Sequence, residues 1–429
     1  MKLIQFGICL LLAFAVLAHG TVEVWSESVL EIGAALLFLL WAILVFLNPE
    51  IEITWNSLSW PLLCFIAIGL GQRGFHGTVY PYLTQRELLR LAAYFLLFFL
   101  AAQGFRDRES LRTFVWFLLF LGFVVGLFGI VQYFTFNGKI YWFRQLTAGG
   151  SPFGPYVNRN HFAGFMELIV PLGLSMLVLR GIRREQTPLV GLLTAVSVGS
   201  LLLSASRGGI ASFVCELGLL AILVWSRGSG KVRVGAAALA LLVAGVLVTW
   251  LGVGEVVARF AQLRPGEISA SRRTGMLKDT WHIFLDHPWK GTGLGTLVAV
   301  YPQYESMYDG KVVEHSHNDY VQALAETGIL GGLCGLAFLA ILLREAFSRL
   351  EVPQSSFSLA LHMGAFVACV GLLVHSFVDF NLHIPSNALL FLLQAYLATS
   401  TPLRQEITHP LHRVAGRISV VDSRSRSGS

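Results

Sequence analysis

The strongest constraint on this 429-residue chain is a succession of apolar runs, each close to the length that crosses a bilayer. A spanning helix needs roughly 17–25 apolar residues. About twelve runs approach that length: 3–18, 29–47, 58–71, 88–104, 113–134, 161–179, 188–204, 209–226, 234–251, 321–346, 358–379 and 385–400. The third is short enough for a re-entrant or tilted piece. The first, behind Lys2 and ending at Ala18, also has some features of a cleavable signal. With 55% hydrophobic and 13% charged residues, and a mean hydropathy of +0.66, an ordinary soluble fold is excluded. The expectation is an all-α polytopic membrane protein of about twelve transmembrane helices with one long, partly helical loop.

The formal charge of +6 does not imply nucleic acid as a partner, because the basic residues are scattered over loop ends without a contiguous patch. Cys9, Cys64, Cys215, Cys334 and Cys369 all fall in apolar runs without zinc-type spacing, and read as small hydrophobes packed between helices. Short-loop basic residues set orientation. Counting Arg106, Arg108, Arg112, Arg180, Arg183, Arg184, Arg227, Lys231, Arg233, Arg344, Arg349 and the tail arginines on one side gives about sixteen, against about seven on the other. Both termini are therefore expected inside. That choice places 158–161, the 204–209 turn, the 252–320 loop and 375–383 together on the outer face.

His315-Ser-His317-Asn318-Asp319-Tyr320 stands at the mouth of an apolar helix. Titratable groups there are costly to place and read by default as a functional site. The alternation admits three roles: His317 as general base, the two histidines and Asp319 as metal ligands, or Asn318 or Asp319 as a helix cap with the histidines merely wet. Arg207, in Ser-Arg-Gly-Gly, adjoins glycines that permit close backbone approach and free N–H groups, a natural anion seat; it is equally a snorkelling boundary residue. Arg272 and Arg273 open a helix in the long loop, near Arg259 and Arg264, and offer forks for a diphosphate. Asn158, Arg159, Asn160 and His161 carry amide and cationic groups suited to sugars or to capping. Asp379, one turn from His375, suggests a local pair at i, i+4. Gly291-Thr-Gly-Leu-Gly295 lacks the strand and spacing of a nucleotide loop and reads as a flexible turn, with Tyr301 and Tyr304 beyond it along a sugar path. Val256–Leu263 and Met276–Asp286 each have helical spacing, with Trp281, Ile283 and Phe284 available to the membrane face.

Across roughly 150–400 these residues resemble the bacterial O-antigen ligase and polymerase family. The resemblance rests on Ser206-Arg207-Gly208-Gly209, on Arg273 followed by Asp286-His-Pro-Trp-Lys-Gly-Thr-Gly-Leu-Gly295, and on His317-Asn318 followed by Gly328-x-x-Gly331. It implies a GT-C-like fold and a metal-independent glycosyltransferase without cofactor. It further implies an undecaprenyl-diphosphate-linked glycan as donor, used on the periplasmic face of the bacterial inner membrane. His317, ahead of His315, matches the family's essential histidine. Arg207 and Arg273 match arginines that hold the carrier diphosphate. Asn318, Tyr320, Asp379, Arg272, Arg159, Asn158 and Asn160 complete the expected site. The acceptor is a glycan, a lipid A-core or a protein hydroxyl, which covers ligase, polymerase and protein O-oligosaccharyltransferase. A lipid-linked-sugar flippase is the rival class, and it calls for polar groups near the midplane and related halves, which the sequence does not display. The regions read as N-terminal helices (1–150), a ligase-like core with loop 252–320 (151–400) and a basic, disordered cytoplasmic tail (401–429).

Overall fold

The computed structural model describes residues 1–145, 150–227, 270–308 and 310–401, with a few isolated positions between 234 and 245. Most of span 234–251, the loop arginines Arg259 and Arg264, the expected helix at 256–263 and the tail beyond 401 lie outside the described residues. The helices are α1 Lys2–Leu17, α2 Val24–Leu47, α3 Ser59–Gly74, α4 Pro81–Gly104, α5 Arg108–Phe134, α6 Arg159–Glu167, α7 Val170–Val178, α8 Thr187–Leu203, α9 Arg207–Ser226, α10 Ala270–Asp286, α11 Leu297–Val300, α12 Asp319–Glu351, α13 Ser356–His375 and α14 Pro385–Thr399. A two-residue-stranded hairpin, Lys139–Ile140 with Arg144–Gln145, is the only sheet among the described residues.

Among the described residues, eight helical spans are long and apolar enough to cross a membrane, with α6 and α7 together forming one and α8 lengthened by the turn at Arg184–Gln186. α1, α3 and α14 are shorter, at 16, 16 and 15 residues. The break between α6 and α7 precedes Pro171, which has no N–H to continue the first helix. Helix starts follow residue chemistry. Asp107, Asn158, Ser206, Asn318 and Ser355 each accept an N–H from the first turn of their helix. Pro81 and Pro385 begin α4 and α14 where a missing N–H costs nothing. Every residue of α14 is buried, so this helix lies inside the bundle, where its Asn387 and Gln394 donate to the His161 and Leu168 carbonyls.

Successive connections alternate between the two ends of the bundle. At one end the Gly20 carbonyl accepts from Ser386 N–H at 3.1 Å, Thr292 from Val79 N–H at 2.8 Å and Ser376 from Asp319 N–H at 3.0 Å. At the other, Gln103 brackets Thr54, Tyr396 donates to the Phe105 carbonyl at 2.7 Å and Arg112 lies over the Phe357 ring. α3 links the two, since Asn56 just before it meets Thr399 while Gln72 near its end meets the Lys290 carbonyl. It therefore traverses the bundle and does not re-enter.

Four expectations are corrected here. The glycine turn is pinned: Gln72 Nε2 donates to the carbonyls of Lys290 and Glu326, Leu294 N–H donates to Gln72 Oε1, and Thr84 donates to the Leu294 carbonyl. Gly291, Gly293 and Gly295 have φ of 65°, 116° and 71°, and no residue with a Cβ fits at Gly291 against the Glu326 backbone. Tyr301 and Tyr304 brace α10 through Asp279 and Asp286, at 2.8 and 2.7 Å. Of the three α10 residues assigned to the membrane face, Ile283 and Phe284 are buried in a small loop core with Met276, Leu297 and Val300, while Trp281 is exposed. Cysteine burial also differs, since Cys64 and Cys215 lie on the outside of the bundle and only Cys369 is buried.

Candidate functional site

The site forms where α6, α9, α12 and the 376–384 turn converge. Asn318 sets the local geometry. Its Oδ1 accepts the N–H groups of Tyr320 and Val321 at 3.0 Å, and its Nδ2 donates to the Phe377 carbonyl at 2.9 Å. The cap is thus Asn318, and the histidines are left for other contacts. His317 sits at φ 54°, a left-handed conformation that an L-residue holds only when its surroundings impose it. Gln322 Oε1 accepts the neighbouring Ser316 N–H at 3.2 Å, and Gln322 Nε2 donates to Glu326 at 3.1 Å. Glu326 also accepts from the N–H groups of Gly295 and Leu297.

His317 Nδ1 meets Asp379 Oδ1 at 3.2 Å, and Asp379 is fully buried. His161 Nε2 lies 3.7 Å from the same oxygen, and Asn160 donates to the other. Asn160 Oδ1 in turn accepts from Ser206, the cap of α9, at 2.9 Å. One carboxylate therefore joins three segments more than 50 residues apart in the chain. Phe380 packs against His161, His315 and His317 with centroids at 4.6, 4.4 and 4.9 Å. The His-x-His-x-Asp alternation does not converge on a point. His315 pairs with Gln322, His317 with Asp379, and Asp319 with His383 at 2.6 Å. Among the described residues no group of three or more His, Cys, Asp or Glu side chains is arranged to hold a metal ion.

Burial works against ionisation of Asp379, yet the bond from His317 and the nearby His161 outweigh that and hold it well below the usual carboxylate range. Burial, together with the nearby His383, keeps His315 well below the ordinary imidazole value and hence neutral. For His383 burial again opposes charge, but the Asp319 bond and charge prevail and raise it. A raised histidine contributes stability below its unfolded value, about 6.5, and loses it as pH rises through the folded value. The melting-temperature difference between the wild type and Asp319→Asn should therefore shrink as pH rises above neutrality. A difference independent of pH would remove the charged pair.

The other expected residues are placed as follows. Arg207 is exposed at the first position of α9, immediately after Ser206. Arg273 is half-buried early in α10, and its Nε makes no hydrogen bond. Arg272 is turned into the loop, against the carbonyls of Met307 and Lys311 and 3.7 Å from Glu305. Arg159 is buried in the first turn of α6, and Asn158 caps that helix. Tyr320 donates to the Leu373 carbonyl at 2.6 Å. Beside Asn318 a cleft of about 350 Å³ opens between α10 and α12, lined by Leu277, Lys278, Trp281, His282 and Val321.

The expected local pair of His375 with Asp379 is not formed. His375 Nδ1 lies 2.9 Å from Glu167, and Asp379 reaches His317 instead, 62 residues away in sequence. His161 and Phe380 were absent from the expected site set. His161 had a weak signal in its polar run, and Phe380 had none.

Fold and site together define a multi-pass helical membrane protein with a histidine–carboxylate cluster at one end of its bundle. Residues 192–336 match the family model described as O-antigen ligase. Over 239 residues the chain is 27% identical to the teichuronic acid biosynthesis protein TuaE of Bacillus subtilis (strain 168), across 52% of this chain and 47% of that protein. The match thus spans about half the length of that curated relative. Over residues 192–336 the chain is therefore similar to the O-antigen ligase family.

Proposed function

We propose that this protein is a membrane glycosyltransferase that moves or polymerises a glycan from a polyprenyl-diphosphate-linked donor, undecaprenyl diphosphate being the carrier. The observation carrying the proposal is the buried Asp379 carboxylate on His317 Nδ1. An ionised carboxylate there fixes the tautomer with Nδ1–H, so Nε2 is the basic nitrogen left for an acceptor hydroxyl. In the proposed step the acceptor oxygen attacks the anomeric carbon and its proton passes to Nε2. The bond from that carbon to the phosphate oxygen breaks, and the carrier diphosphate leaves with the electron pair. A single displacement inverts the anomeric centre. Arg207 and Arg273 neutralise the diphosphate, the first from the α9 helix start that Ser206 ties to the Asp379 cluster. Asn158, Arg159, Asn160, Asn318 and Tyr320 shape the surrounding wall, and Arg272 supports the loop. The acceptor is a glycan, a lipid A-core or a protein hydroxyl.

The reading places the site on the periplasmic side of the inner membrane, with both termini cytoplasmic. Reporter fusions after Arg184 and Arg233 should then read cytoplasmic, and fusions in 287–308 external. Internal signals from 287–308 would overturn the placement. The activity itself is tested with the full chain in vesicles, a polyprenyl-diphosphate-linked oligosaccharide and a hydroxyl acceptor. Product is expected, whereas translocation of labelled donor without product would favour a flippase. Arg207→Lys keeps the charge but loses the planar fork, and turnover should drop about 10²–10³-fold. Unchanged turnover in both Arg207→Lys and Arg273→Lys would remove their diphosphate role.

A further inference from the structure

Behind the Asp379 cluster, at the level of the bundle interior, stand three ionisable groups that the proposed transfer does not use. Glu167 ends α6, Glu216 lies on α9 and His375 ends α13, and they are 0, 1 and 0% exposed. Glu167 and His375 form an ion pair at 2.9 Å. Both oxygens of Glu216 are buried without a hydrogen-bond partner. The ionisable groups acting on Glu216 are Glu167 and, on its own helix, Cys215, while Asp379 acts on both members of the pair.

Charge counting decides what this cluster holds. One imidazolium neutralises one carboxylate. A second carboxylate left bare in a hydrocarbon-level interior costs several kcal/mol. The three side chains are not disposed around a shared metal position. We propose that Glu216, backed by the Glu167–His375 pair, is an intramembrane proton-binding site. One proton, taken from solvent as the bundle assembles, forms the O–H of a neutral Glu216 carboxylic acid.

Three glycines provide the room. A Cβ at Gly371 would collide with the Glu216 carboxyl, one at Gly208 would come 2.7 Å from His375 Nε2, and one at Gly209 would come 3.0 Å from Glu167 Oε1. The two glycines after Arg207 therefore clear space for this cluster. In this way the site sets how closely the start of α9 approaches α13, and a charge on Glu216 would drive the two helices apart.

The test is infrared spectroscopy of the full chain in lipid vesicles at neutral pH. It needs no glycan transfer, so its outcome stands apart from that of the proposed function. The wild type should give a carbonyl stretch of a protonated carboxylic acid that moves on exchange into deuterium oxide. Glu216→Gln, or Glu216→Leu if the amide does not fold, should abolish the band. Gly371→Ala should shift it by displacing the carboxyl. A wild-type spectrum without the band, or a band that survives loss of Glu216, would overturn the site.

Discussion

His317→Ala is expected to lower glycan transfer by about 10²–10⁴-fold, the usual contribution of a general base, while membrane abundance stays normal. Abundance should hold because the α12 cap is Asn318, whose bonds to Tyr320, Val321 and Phe377 do not involve the His317 ring. Asp379→Asn should fall nearly as far, since an amide in place of the carboxylate permits the wrong imidazole tautomer. His315→Ala should cost less, because that ring is held neutral and engaged by Gln322. The readouts are transfer, abundance by immunoblot and inhibition by chelators. A metal role would make His315, His317 and Asp319 equivalent and would bring chelator sensitivity. Full transfer by His317→Ala at normal abundance would sink the proposed chemistry.

Gly328→Ala should abolish recoverable protein, not merely slow turnover. Gly328 has φ 64° and ψ −164° inside α12, a conformation closed to alanine. That region of backbone conformation alone costs an L-residue about 1–3 kcal/mol. Here a Cβ would also strike the Trp289 backbone, which cannot yield as a flexible side chain does. Moreover, the kink allows Ile329 N–H to donate to the Pro288 carbonyl at 2.7 Å, so straightening α12 detaches the glycine turn as well. Gly335→Ala is the matched control on the same helix, since nothing lies within 4 Å of its Cβ position. Comparable yield of detergent-extracted monomer from Gly328→Ala and Gly335→Ala would show that the kink is dispensable.

Much of this architecture was legible in the residues. Apolar runs located the helices, and polar runs 158–161, 206–209 and 315–320 located the ends that meet. The partner of His317 was not legible. Asp379 lies four residues after a histidine, so local spacing favoured His375, whereas Glu167 on another helix captures that imidazole. Local periodicity carries no information about which of two buried acids faces which ring. The role of the N-terminal helices was hidden for the same reason. Gln72 looks like an ordinary helix-end amide, yet it fastens the glycine turn from α3. Likewise Arg86 and Arg90 of α4 are both ion-paired to Glu27 of α2 at 2.7 Å, a contact that no local spacing announces. The glycines at 328 and 331 were visible as a motif, and their physical cause, a kink docked on the 288–291 turn, needed the third dimension.

The pinned turn limits how this protein can exchange parts with its relatives. The segment between α10 and α12 is fastened by Gln72 and Thr84 outside the family-matched stretch 192–336, and its histidine leans on Asp379, also outside it. A chimera that imports only that stretch inherits a loop without its anchors. The transplantable unit is larger, running from α3 to the 376–384 turn. Within it, the cleft wall of Leu277, Lys278, Trp281 and His282 is exposed and makes little structural demand on the turn. Sequence variation among relatives is therefore expected to accumulate on that wall of α10, while the fastenings of the turn stay fixed.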